Sequence, residues 1–342
     1  MATTPGEGAV LVAGAGSWGT ALALHLASAG QKVLLWGHRP EEMERLARER
    51  VNTRYLPDHP FPPSLLPIGD LHEALGHTQD LLLAVPCRGI RPLLQAARTH
   101  PAAPRLRVCW AAKGIEEGTD LLLHEVVTEV LGPCPQAALS GPSFASEVAR
   151  GLPTAVTLAS LDPAFTAALL RRFHHGAFRV YASDDLIGVE MGGALKNCLA
   201  IAAGVADGLH LGANCRAALI TRGLVEITRL GIALGGRLPT FMGLSGLGDL
   251  VLTCTDDQSR NRRFGKLLGQ GLPPAAAEAE IRQVVEGART AHAAARLAAR
   301  HGVEIPIIAQ IARLLRDETT PRAALQALLA RDPTVEFSFL AR

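Results

Sequence analysis

Lysine is scarce in this chain: Lys32, Lys113, Lys196 and Lys266 stand against 30 arginines in 342 residues. Wherever a generic surface cation is wanted the sequence uses arginine, so a lysine in an unusual place needs a reason of its own. Other shortages exclude whole classes of function. The six cysteines (Cys87, Cys109, Cys134, Cys198, Cys215, Cys254) stand far apart, with no C-x-x-C pair and no Cys/His grouping at zinc-ligand spacing. That spacing argues against a metal site and for reduced core thiols in a cytoplasmic protein. No run of about 18 apolar residues is free of charge, so no membrane span is expected. The start, "MATTPGEGAVLVAG", has no basic segment ahead of an apolar one and does not read as a secretory signal. A net charge of +2 provides no broad basic face for nucleic acid. It is compatible with a small acidic ligand held by a local cluster.

What is present divides into two halves. From residue 9 to about 182, short aliphatic runs ("AVLVAG", "KVLLWG", "DLLLAVP", "RVCWAAKG", "AALSGP", "TAVTLAS", "FRVYAS") alternate with helical patterns. Runs this continuous suit strands buried on both faces, and the alternation implies a doubly wound, mostly parallel α/β sheet. After "YASDD" the strand signal stops and helical periodicity takes over at 188–210, 215–234, 276–301, 306–317 and 321–331. The expected organisation is a dinucleotide-binding α/β domain over 1–185 and an all-helical domain over 186–342.

"VLVAGAGSWGTALALHLASAG" places Gly14, Gly16 and Gly19 in G-x-G-x-x-G order, directly after a strand and at the opening of a helix. These glycines permit a tight turn and let the backbone approach a pyrophosphate, which rests on the amides at the helix start. A site preferring NAD usually carries an acidic residue at the end of the second strand for the ribose hydroxyls. Here "LLWGHRPEE" puts His38 and Arg39 there; Arg39 suits the 2′-phosphate of NADPH, and the alternative is a solvated loop charge with Glu41 close by.

Lys113 follows the strand "RVCWAA", at the carboxyl edge where open α/β sheets bind ligands. Lys196 lies inside "GGALKNCLAIAAGVADG", on a helix face shared with Gly192, Ala200, Ala203 and Asp207. Small residues there are expected to leave room for another molecule. A buried lysine can lose its proton near neutral pH whereas arginine cannot, so proton transfer explains the choice of lysine; the bland alternative is a lysine snorkelling from a helix edge. In "GLGDLVLTCTDDQSRNRRFG", Asp249 follows a glycine-rich turn, and Ser259 to Arg263 form a compact run of hydroxyl, amide and guanidinium donors suited to a phosphate.

The segments "GAGSWGTALA", "AAKGIE", "SGPSFASEVARGLPTAV", "GGALKN", "GLGDLVLTCT", "QSRNRRFG" and "QVVEG" follow one another over most of the chain. In that order they resemble the bacterial type of NAD(P)-dependent glycerol-3-phosphate dehydrogenase. The resemblance implies a Rossmann-type doubly wound sheet followed by an all-α domain, with reversible reduction of dihydroxyacetone phosphate to sn-glycerol 3-phosphate. It implies a cytoplasmic homodimer supplying glycerophospholipid synthesis, no metal, and NADP as cofactor, NADPH being preferred and NAD possible. By motif position it makes Lys196 the proton donor or acceptor, with Lys113 and Asp249 beside it in catalysis. The substrate would lie against Lys113, Gly141, Ser143, Lys196, Asn197, Asp249, Thr253, Ser259, Arg260 and Asn261. The cofactor would lie against Gly14, Gly16, Ser17, Trp18, Gly19, His38, Arg39, Lys113, Ala145, Arg260, Val284 and Glu286. Ser146 departs from the pattern, since relatives often carry a lysine there. Two other readings compete: a β-hydroxyacid or ketopantoate-type reductase, against which the "SRNRR" run speaks, and a non-catalytic NADPH-binding sensor, which has no use for Lys113, Lys196 and Asp249 together.

Overall fold

The computed structural model describes residues 8–332; residues 1–7, and with them the reading of the chain's start, lie outside it, as does the tail of the expected second domain. Ten strands appear: β1 (Ala9–Ala13), β2 (Val33–Trp36), β3 (Val51–Asn52), β4 (Leu56–Pro60), β5 (Leu65–Ile68), β6 (Thr78–Leu83), β7 (Arg107–Trp110), β8 (Gln136–Ser140), β9 (Thr154–Ser160) and β10 (Phe178–Ser183). Seven of them coincide with the aliphatic runs, and β3, β4 and β5 are additional. Eight strands form one sheet in the order β10-β9-β8-β7-β6-β1-β2-β5, with β3 and β4 pairing separately. All neighbours run parallel except β8 and β9. The chain leaves β1 toward β2 on one side and returns to β6 on the other, so the C-terminal end of β1 is the switch point where such sheets bind ligands. Seven helices accompany the sheet: α1 (Ser17–Ser28), α2 (Pro40–Glu49), α3 (Leu71–Leu75), α4 (Cys87–Arg98), α5 (Leu123–Leu131), α6 (Ala145–Ala149) and α7 (Pro163–Phe173).

The rest is helical: α8 (Leu186–Gly208), α9 (Gly212–Ala233), α10 (Leu238–Phe241), a π-helical turn Leu244–Gly248, α11 (Asp249–Thr255), α12 (Arg260–Gly269), α13 (Pro274–Ile281), α14 (Glu286–Arg300), α15 (Pro306–Leu315) and α16 (Pro321–Leu329). The helix expected over 276–301 is two, α13 and α14, because Arg282 adopts the left-handed conformation (φ 55°) and ends the first. Alanine-rich flanks hid that break.

The chain forms two compact units. One takes the chain up to Ala112 together with Leu123–Leu186; the other takes Lys113–Leu122 together with the chain from Ile187 on. Residues 113–122, expected in the first domain as the continuation of a strand, thus cluster with the helices. The reason is apolar: Ile115 and Leu122 are 2% and 5% exposed within the helical unit's own core, alongside Met191, Leu195 and Ile308.

At the centre of that core runs α8, which is long and apolar enough to cross a membrane, yet 94% of its apolar window is buried inside the protein. Its small residues let other backbone come close. A Cβ on Gly192 would strike the carbonyl of Ser245, and one on Gly204 or Gly208 would strike the backbone of α12, whose own Gly265 and Gly269 face Ile201 and Val205. Ala200 and Ala203 are fully buried. The small-residue face therefore admits protein backbone, not a ligand as the sequence suggested. Overpacking a contact this close costs typically 1–3 kcal/mol.

Candidate active site

The glycine loop follows β1. Gly14 has φ 130°, and a Cβ there would collide with the backbone of Ala84; a Cβ on Gly19 would collide with the carbonyl of Gly14. Both glycines are thus required by the protein's own packing. Gly16 is different: its backbone is ordinary and a Cβ would meet nothing within 4 Å. Gly16 is the N-cap of α1, with no side chain capping the amides of the first turn. Open space over uncapped helix amides fits a pyrophosphate, because the helix start supplies both donors and partial positive charge. The indole Nε1 of Trp18 is buried and meets no acceptor among the described residues, a second feature that a bound dinucleotide would satisfy. Ser17 stands between them as the first residue of α1. Sequence reasoning missed Asn52: fully buried on β3, it donates from Nδ2 to the Ala15 carbonyl (3.0 Å) and to Thr20 Oγ1 (2.9 Å), holding the loop's shape. A single asparagine more than 30 residues downstream gives no pattern to read.

His38 and Arg39 follow β2, and the Arg39 guanidinium is half-exposed and pairs with Glu42 at 3.0 Å. Such a surface pair contributes about 0–1 kcal/mol, so it hinders a phosphate little. Gly141 follows β8 with φ 150°, packed on Val156. Ser143 Oγ donates to the Gly141 carbonyl (3.0 Å), and Ala145 opens α6.

The helical unit holds a buried cluster of charges. Asp249, wholly buried, is the first residue of α11, set there by the π-helical turn before it. Its carboxylate is shared. Lys196 Nζ, from α8, donates to Oδ1 at 2.5 Å, and Lys113 Nζ donates to Oδ2 at 2.7 Å. Lys196 also donates to Thr253 Oγ1 (2.7 Å), whose hydroxyl in turn donates to the Asp249 carbonyl (2.6 Å). An ammonium has three N–H bonds; two are used here, and one remains for a substrate oxygen. Burial drives the Lys196 amine down from 10.5 to about 8; Asp249 and Cys254 oppose the shift, while the Lys113 cation reinforces it. The residue is thereby poised for proton exchange near neutral pH.

A line of amides surrounds this site. Asn197 Nδ2 donates to the Lys113 carbonyl (3.2 Å), Asn261 Nδ2 donates to Asn197 Oδ1 (2.9 Å), and the Gly287 amide donates to Asn261 Oδ1 (3.0 Å). In the cationic run, Ser259 caps α12 by accepting from the Arg262 amide (3.2 Å). Arg262 is committed to Asp207 and Asp257. Arg260 Nη1 reaches Gln283 Oε1 (3.2 Å), beside Val284 and ahead of Glu286 at the start of α14. Lys113, Lys196, Asn197, Asp249, Thr253 and Asn261 are therefore joined by direct hydrogen bonds, with Ser259 and Arg260 on the same short helix as Asn261. Gly14 to Gly19, His38, Arg39, Gly141, Ser143 and Ala145 belong to the sheet-containing unit. No group of three or more His, Cys, Asp or Glu side chains able to hold a metal occurs among the described residues.

Comparison with known proteins places this geometry. Residues 9–166 match the family described as NAD-dependent glycerol-3-phosphate dehydrogenase N-terminus, and residues 185–326 its C-terminus. The chain belongs to this family. It is 55% identical over 331 residues to glycerol-3-phosphate dehydrogenase (NAD(P)+) of Thioalkalivibrio sulfidiphilus, covering 96% of this chain and 98% of the relative. Identity to the protein of the same name from Sodalis glossinidius is 51%, over 96% and 97% of the two chains. The crystal structure of glycerol-3-phosphate dehydrogenase from Coxiella burnetii is similar with TM-score 0.90 and 47% identity, over 95% of this chain and 99% of that one. D-mandelate dehydrogenase with NADH, at 14% identity and TM-score 0.62, shares the fold alone.

With only four lysines, the electrostatics of the site can be measured directly. In chain labelled with [13C]lysine, one Cε resonance should titrate near pH 8. That resonance should vanish in Lys196→Met; a spectrum with no resonance titrating near pH 8, or one that persists in the variant, would refute the shift.

Proposed function

We propose that this chain catalyses the reversible reduction of dihydroxyacetone phosphate to sn-glycerol 3-phosphate with NAD(P)H, NADPH being preferred. The observation that carries the reading is the buried pair of lysines on one carboxylate, in a chain whose relatives bear the name of that activity. The same reading makes the protein a cytoplasmic homodimer serving glycerophospholipid synthesis, supported by family membership.

A nicotinamide cofactor held over the glycine loop Gly14–Gly19 and by Arg39 would supply a hydride, hence two electrons, for the carbonyl carbon of the substrate. The C=O π electrons move onto oxygen, and the residues of this chain deal with the charge that results. The free N–H of Lys196 stabilises the developing alkoxide and passes its proton to it, a contribution of typically 10²–10⁴-fold. Thr253 and Asp249 aim the amine, and Lys113 keeps its proton affinity low enough for transfer. In the oxidative direction neutral Lys196 takes the hydroxyl proton, and the hydride of the alcohol carbon would pass to the oxidised cofactor. Ammonium Lys196 is needed for reduction and neutral Lys196 for oxidation. The reductive kcat therefore falls, and the oxidative kcat rises, as pH passes through the Lys196 pKa in the substrate complex.

The substrate phosphate is assigned to the start of α12, where Arg260 joins helix amides and the side chains of Ser259 and Asn261. A charge-assisted hydrogen bond contributes about 1.5–3 kcal/mol. Arg260→Ala should thus lower kcat/KM for dihydroxyacetone phosphate about 10- to 150-fold and leave the poor reaction with unphosphorylated dihydroxyacetone unchanged. Equal losses on both substrates would remove Arg260 from the phosphate site and reopen the hydroxyacid-reductase reading.

Cofactor preference rests on Arg39, which stands where an acidic residue would favour NADH. Arg39→Ala should raise KM for NADPH about tenfold or more while changing KM for NADH by less than about twofold, since one charge-assisted contact exceeds ~1.4 kcal/mol. Parallel changes for both cofactors would return Arg39 to a surface ion pair with Glu42.

A further inference from the structure

Lys113 sits on no helix or strand. It begins the segment 113–122, whose neighbours within the unit are all helices. What fixes its ammonium against Asp249 is thus a question about that segment. Ile115 and Leu122 hold it to the core by apolar contact. Between them the backbone closes on itself: the Glu116 amide donates to the Leu121 carbonyl (3.0 Å), and the Asp120 amide to the Glu116 carbonyl (3.1 Å). Asp120 takes up φ 60°, a left-handed conformation in which aspartate and asparagine are among the better-tolerated residues. That turn carries the Asp120 carboxylate, itself only 7% exposed, onto α14. There Arg296 donates to Oδ2 from Nε (2.9 Å) and to Oδ1 from Nη2 (2.6 Å), and Arg300 also closes on Oδ2. Glu117 adds a more exposed pair with Arg289 on the same helix (2.8 Å).

Helix α14 is also tied to the site from its other end. Its Gly287 amide holds Asn261, which holds Asn197, which donates to the Lys113 carbonyl. A Cβ on Gly287 would strike the Asn197 carbonyl, so α14 lies against α8 one residue from Lys196. The segment bearing Lys113 is therefore gripped at both ends by one helix, through amides at Lys113 and through a carboxylate at Asp120.

We propose that Asp120, anchored by Arg296 and Arg300, is a positioning residue for the reaction: it locks the 113–122 segment on α14 and so holds the Lys113 ammonium on Asp249. The proposal rests on the reading that Lys113, Lys196 and Asp249 are the reacting cluster. A pair of half-exposed arginines on a nearly buried carboxylate is stronger than a surface ion pair, because removing one partner leaves a desolvated charge. The groups facing Lys196 are Asp249, Lys113 and Cys254. Of these, Lys113 is the one whose place depends on the segment.

The test uses the full chain with Asp120→Asn, which keeps the left-handed turn but loses the charge. The pH profile of kcat for dihydroxyacetone phosphate reduction is measured well below the melting temperature. Loosening Lys113 removes a cation from beside Lys196, so the alkaline limb should move to higher pH by half a unit or more. At neutral pH kcat should drop about tenfold, with KM for NADPH unchanged. Lys113→Met is run alongside and should move the same limb in the same direction. An unshifted limb and undiminished kcat in folded Asp120→Asn, with Lys113→Met shifted, would overturn the positioning role and leave the site reading intact. An unaffected Lys113→Met would instead overturn the reading beneath it. Should Asp120→Asn not fold, Arg300→Gln removes one half-exposed guanidinium and should give the same shift at about a third of the loss in kcat; a normal profile there would equally overturn the proposal.

Discussion

One carboxylate shared by two ammonium groups sets the terms for the helical unit. Two lysines and one aspartate bring a net positive charge into a nearly buried space, where the two ammonium groups depend on the one carboxylate. Asp249 satisfies two of the Lys196 and Lys113 donors at once. Because the cluster is not neutral, the least stable charge is the one to give way, and that is Lys196, whose amine burial lowers to about 8. Breaking such an arrangement by removing one partner typically costs 3–5 kcal/mol. The surrounding fold therefore has to hold three elements, α8, α11 and the 113–122 segment, in fixed relation.

Close packing of backbone does that holding. Glycines on α8 and α12 allow the two helices to approach to backbone contact, and Gly192 seats the π-helical turn ahead of Asp249 on the residues just before Lys196. The carboxylate is delivered by a tight turn and the amine by a rigid buried helix, so neither needs to search for the other. In the sheet-containing unit the same economy appears at the glycine loop, where Gly14 and Gly19 are fixed by packing and Gly16 alone keeps open space above uncapped amides.

Much of this was legible in the sequence, for identifiable reasons. Strands buried on both faces announce themselves as aliphatic runs, and all seven such runs are strands; β3, β4 and β5 are short and include "LPDHP" and "LLPI", where proline and polar residues erase the pattern. Lys196 was legible because lysine is rare here and its helix is apolar. The purpose of the small residues around it was not, since composition reads the same whether a ligand or a helix comes close. Segment 113–122 continues a strand in sequence, and only the burial of Ile115 and Leu122 assigns it to the helices. Asp120 and Asn52 belong to no motif; their roles depend on partners 176 and 37 residues away.

The central claim is that the Asp249 carboxylate supports the charge on Lys196. The most direct measurement is the titration of the Lys196 Cε resonance in [13C]lysine-labelled Asp249→Asn. Loss of the negative charge removes the main opposition to desolvation and the Lys113 cation, so the Lys196 pKa should fall clearly below its wild-type value, with reductive turnover at neutral pH falling in step. A Lys196 pKa that stays put or rises in the folded variant would contradict the account.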